Sequence, residues 1–188
     1  MPAKKKRRSK SIIRKKRGAK GTSRKRRAVT ATPRPRRIDA RLKTLAIAAE
    51  PPIDANPANL ASEFRSSLQS ALDALSTAGT AFKLVEGFRT TDRQQWLYGS
   101  GRPNAVPYGR PGPIVTNADG VNSKSNHQGD GTAGSGRAAD CYPLKNGHVY
   151  IPPSSDPVWT TYATAVKKQG LVAGHDWTMK DSPHCEKP

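Results

Sequence analysis

The sequence predicts one domain of mixed helices and short strands behind a polybasic tail, and three observations carry that reading. Leu60, Phe64, Leu68, Leu72 and Leu75 recur at steps of four and three, so they share one face of an amphipathic helix. Short stretches at 80–85, 171–173 and 184–186 are the length of strands, and 158–168 has a second helical pattern ended by Gln169-Gly170. Charge marks the boundary. Residues 1–43 hold 20 of the 33 Lys and Arg and a single acid, Asp39, so the formal charge of +19 belongs to the tail and the rest is neutral.

In chain order, residues 1–45 are expected to be a disordered polybasic tail. Ile12, Ile13 and Val29 are the only branched apolar side chains before Ile38, too few for a core. No apolar stretch reaches the roughly 18 residues of a membrane span, and the basic start leads into no signal-peptide core. Delivery is therefore expected from elsewhere, by lysis or as a virion component. Pro51, Pro52 and Pro57 make 46–56 an extended spacer, and the domain is expected over 57–188, its first helix starting near Asn56 or Pro57. The second half of 86–98 reads as a short helix. Residues 99–136 are crowded with Gly, Pro, Asn and Ser and read as loop with one or two short strands, a length that usually serves function.

Four histidines are present, and two have informative surroundings: His127 in Ser125-Asn126-His127-Gln128, and His184 in Asp181-Ser182-Pro183-His184. Two His and one Asp are the ligand types of a catalytic zinc. Zinc lowers the pKa of bound water to about 7, and a carboxylate must still move the proton, a role open to Asp181. Arg89 is the candidate for offsetting charge on a tetrahedral intermediate. Spacing alone leaves the ordinary reading open, in which these are histidines satisfied by hydrogen bonds. His148, in Lys145-Asn146-Gly147-His148, reads as a solvated turn residue.

Five blocks then resemble a known family in the right order. They are Glu86-Gly87-Phe88-Arg89-Thr90 with Arg93-Gln94; Ser125-Asn126-His127; Gly136-Arg137-Ala138-Ala139-Asp140; Gly174-His175-Asp176-Trp177; and Asp181-Ser182-Pro183-His184. They resemble the zinc D-Ala-D-Ala carboxypeptidases of VanY type and, more closely, the L-alanyl-D-glutamate endopeptidases of phage endolysins. The resemblance covers the domain and none of the tail. It implies an α+β fold, a small and mainly antiparallel sheet flanked by helices, with the metal on the sheet.

It also implies one Zn2+ per chain held by His127, Asp140 and His184, with Asp181 as general base and acid and Arg89 as stabiliser. Ser125, Trp177 and Gln94 would contact substrate. The implied activity is hydrolysis of peptidoglycan stem peptides at the bacterial cell wall, between L-Ala and D-Glu; a D,D-carboxypeptidase is the nearest alternative. From another class comes a polyanion-binding virion structural protein with an inactive peptidase-like domain. The tail would bind nucleic acid, lipopolysaccharide or anionic membrane through charge.

One departure stands out. The family's aspartate follows its first histidine by seven residues, whereas Asp140 follows His127 by thirteen, so Asp130 in the Gly-rich excess is a rival ligand. Gly136 and Ala138 keep the family spacing to Asp140, which favours it. Cys141 and Cys185 each follow an expected ligand and would face away from it as buried, inert thiols, because strand neighbours point to opposite faces.

Overall fold

The computed structural model describes residues 48–188, so the tail and the first two residues of the spacer lie outside the described part. The element order is α1 (Ser62–Thr77), β1 (Phe82–Glu86), α2 (Thr91–Tyr98), β2 (Ala138–Lys145), β3 (His148–Val149), α3 (Pro157–Lys168), β4 (Val172–Ala173) and β5 (His184–Glu186). This is an α+β fold. The sheet runs β1-β2-β5-β4, with β3 attached to β2, and every pairing is antiparallel.

The first helix starts later than its apolar repeat suggests. Asn56 caps a separate 3-10 turn, Pro57–Asn59, and Leu60 is then drawn into a bridge with Gly136 before α1 begins. Leu60 is nonetheless buried with Phe64, Leu68, Ala71 and Leu75, so the repeat identifies the core face correctly. That face packs with α3 against one side of the sheet. Phe82 stacks on Tyr162 at 4.8 Å between ring centroids and meets Trp159 edge-on at 6.1 Å, an arrangement aromatic pairs favour. α3 is capped by the Asp156 side chain, which accepts from Val158 N, with Pro157 in the first turn.

Asn146 and Gly147 both have positive φ, the requirement of a tight two-residue hairpin, and they join β2 to β3 with His148 exposed beyond them. Residues 99–136 contain a 3-10 turn at Asn126–Gln128 and isolated bridges but no strand. Their order comes from scattered backbone bonds such as Gly101 N to Arg110 O, and from side chains. Arg110 lies over the Trp96 ring at 3.5 Å, and Asp119 accepts from the backbone N of Val121, Asn122 and Ser123.

The spacer is attached to the domain in its described part. Gly87 N donates to Asp54 O at 2.7 Å, and Arg93 Nη1 donates to Glu50 Oε1. No helix among the described residues is long and apolar enough to cross a membrane.

Candidate metal centre

Alternation along β2 sorts its side chains. Ala139 and Cys141 go into the core with the helices, and Asp140 goes to the opposite face. β5 does the same, burying Cys185 in the core and presenting His184, which pairs directly with Asp140 across the ladder. Both cysteines are free and buried, as their positions behind the two residues suggest. His127 arrives from the long loop. Ser125 and Gln128 form a capping box around the Asn126–Gln128 turn, and Arg89 N donates to His127 O at 3.1 Å, which fixes the loop against the end of β1.

The three side chains meet. His184 Nδ1 lies 3.2 Å from Asp140 Oδ1, His127 Nε2 lies 3.6 Å from the same oxygen, and the two ring nitrogens are 3.3 Å apart. The outer partners set the tautomers. Gly87 O can only accept, so His127 Nδ1, 2.6 Å away, carries the proton; the Glu186 carboxylate at 3.0 Å does the same for His184 Nε2. With both rings neutral, two ring lone pairs and a carboxylate oxygen converge. Such a group calls for a cation, and all three atoms lie within 4.8 Å of one another, so it can hold one metal ion. The N2O donor set suits zinc, and ring nitrogens oriented by a carbonyl and a carboxylate are the usual support for metal-bound histidine.

The electrostatics agree. Burial pushes the Asp140 carboxyl up, but the His127 and His184 rings and Arg89 outweigh it and hold it well below the usual carboxylate range. Burial lowers His184, while its bonds to Asp140 and Glu186 raise it to about 9. The pocket therefore demands positive charge, and a metal ion competes there with a proton.

A cavity of about 740 Å³ opens over this group, lined among others by Arg89, Ser125, Trp177 and Asp181. Trp177 lies 4.9 Å from the His184 ring, centroid to centroid, as a wall. Asp181 belongs to the turn that feeds β5: its carbonyl accepts from His184 N, and its own N donates to Gly174 O. Burial, and then the charge of Asp140, raise its carboxyl above the ordinary value. Gly174 is required here, because a Cβ would come within 2.5 Å of Asp181 O. His175 stays out of the cluster, its Nδ1 2.9 Å from Ser182 Oγ.

Three candidate residues are engaged by partners within the protein. Arg89 reaches the cavity, but its Nη2 is engaged with Asp140 Oδ2 at 2.6 Å and Glu86 Oε2 at 2.8 Å. Gln94 is fully buried and is not among the lining residues; its amide donates to Ala118 O and Thr116 Oγ1, holding the loop rather than facing the cavity. Asp130 is exposed, with its carboxylate turned onto Thr132, and lies outside the cluster. Alanine at Asp140 should therefore weaken zinc binding strongly, while alanine at Asp130 should barely change it. Titration against a competing chelator checks this, and the opposite ranking would move the ligand to Asp130.

No family model matches the chain. Among solved structures it is similar to the L-Ala D-Glu endopeptidase ChiX of Serratia marcescens, with 18% identity over 78% of this chain and 95% of that one and a TM-score of 0.48. It is also similar to the LD-carboxypeptidase LdcB, at 14% identity over 76% and 68% with a TM-score of 0.44. A third is the vancomycin-resistance D,D-pentapeptidase VanY from a VanB-type cassette, solved in complex with Zn(II), at 15% identity over 76% and 80% and a TM-score of 0.44.

Proposed function

We propose that residues 57–188 form the catalytic domain of a zinc-dependent peptidase that hydrolyses peptidoglycan stem peptides between L-Ala and D-Glu. The observation that carries this reading is the convergence of His127 Nε2, His184 Nδ1 and Asp140 Oδ1 beneath an open cavity that also holds Asp181. The choice of the L-Ala–D-Glu bond follows the motifs, which resemble the endopeptidase branch more closely.

His127, Asp140 and His184 would hold the ion, which supplies Lewis acidity toward the scissile carbonyl and acidifies water. The protein's own groups do the rest. Asp181, with its raised carboxyl pKa, takes a proton from the attacking water as the new C–O bond forms and delivers it to the amine as the C–N bond breaks. The Asp140 carboxylate is held by Arg89 on one oxygen, so the other stays toward the rings. Trp177 and Ser125 bound the peptide from the sides.

Digestion of purified peptidoglycan, with and without a chelator, tests the proposal by mass spectrometry of the fragments. A new D-Glu amino terminus is expected. Free D-Ala would identify a D,D-carboxypeptidase, and intact glycopeptide from zinc-loaded protein would identify an inactive structural relative.

The basic tail extends the proposal to a lysin delivered by lysis or with a virion and held at an anionic surface. The tail has no aromatic residue for stacking on bases and few apolar ones for insertion, so charge is its main means of binding. With about six to ten phosphates engaged, affinity for nucleic acid should fall by roughly 10³ to 10⁵ between 50 and 200 mM salt, without sequence preference. Removing residues 1–45 should eliminate this binding and leave hydrolysis of soluble stem peptides nearly unchanged. A truncated domain that binds DNA or lipopolysaccharide with the same salt slope would refute the division of labour.

A further inference from the structure

Glu86 is 7% exposed and uses its two oxygens separately. Oε1 accepts from Arg93 Nε at 2.7 Å, and Oε2 accepts from Arg89 Nη2 at 2.8 Å. The same Arg89 nitrogen donates to Asp140 Oδ2 at 2.6 Å. Arg93, 5% exposed, passes the series outward to Glu50 at 2.5 Å. Charges therefore alternate from the segment before α1 to the metal-binding carboxylate: Glu50, Arg93, Glu86, Arg89, Asp140.

The strand geometry makes this arrangement costly unless it is filled as observed. An irregularity between Leu84 and Glu86 brings Glu86 opposite Asp140 in the β1–β2 register. Like charges directly opposite on neighbouring strands repel. Arg89 lies between them and offsets that repulsion, and Glu86 in turn leaves Arg89 Nη2 only one place to be. With Asp140 Oδ2 held there, Oδ1 remains turned toward His127 and His184.

We propose that Glu86 is a positioning residue of the metal centre, acting through Arg89 on Asp140. This inference rests on the metal centre described above and is independent of which peptide bond is cut. Ligand-orienting partners typically cost 10- to 100-fold in metal affinity when removed, and Glu86→Gln in the full chain should weaken zinc by about that factor. Arg89→Gln should do the same. Because both act along one path, the double variant should bind zinc no more weakly than the worse single variant. Arg89→Lys, which keeps the charge but shortens the side chain that carries the nitrogen bridging Glu86 and Asp140, should weaken zinc by about 10-fold, a test that leaves every acid in place.

Zinc affinity is read by competition with a chromophoric chelator, and the melting temperature of the metal-free protein is followed alongside. Losses that multiply in the double variant would overturn the proposal. So would unchanged zinc affinity in Glu86→Gln or Arg89→Lys with only a lowered melting temperature, since that is the mark of a structural ion pair. Wild-type protein that holds zinc and cuts no peptidoglycan refutes the peptidase reading and leaves this comparison intact, whereas wild-type protein that takes up no zinc refutes both.

Discussion

Replacing His127 or His184 by alanine is expected to abolish tight zinc binding and hydrolysis together. Each ring contributes one of three converging donors, and each is oriented by a partner that no other side chain replaces: Gly87 O for His127 and Glu186 for His184. His127 is 1% exposed, so its loss also leaves a void under the cavity floor. Metal content after dialysis and fragment release from peptidoglycan are the two measurements. Full activity in metal-free protein would sink the assignment.

Asp181→Asn is expected to keep zinc and lose about 10² to 10⁴ in rate, the usual contribution of positioned proton transfer. Asparagine preserves the shape of the turn, whose anchor points are the backbone bonds His184 N to Asp181 O and Asp181 N to Gly174 O. The His127, Asp140 and His184 group does not include Asp181. What the substitution removes is a carboxyl, raised above its ordinary value by burial and by Asp140, that can accept and release a proton. Zinc lost in step with rate would instead mark Asp181 as a ligand or a structural residue.

Local signals in the sequence locate most of the elements. The Leu60 to Leu75 repeat marks the core face of α1, although the helix itself begins at Ser62 because Asn56 and the bridge to Gly136 redirect the chain first. The motif blocks select His127, Asp140 and His184, which the structure brings together. Gln94 shows the limit of a motif: its place beside Arg93 is legible, but its burial under residues 116–118 depends on how a long loop folds back. Glu186 was within reach. The alternation that sends Cys185 behind His184 puts Glu186 on the same face as His184, two residues on. The place of Glu86 opposite Asp140 was not, because an irregular step in β1 determines which residue stands there.

The three donors come from a loop and two strands, with His127 and His184 separated by 57 positions and Asp140 and His184 by 44. An ion gripping all three is a reversible cross-link across the latter half of the domain, and the unfolded chain has no equivalent grip. By mass action, free zinc at 1,000 times its dissociation constant would add about 4 kcal/mol to folding. The melting point of this protein should then report the zinc of its surroundings, and chelation would loosen the chain as well as silence it. Resistance to proteolysis and any chemistry of the site would then share one dependence on the ion.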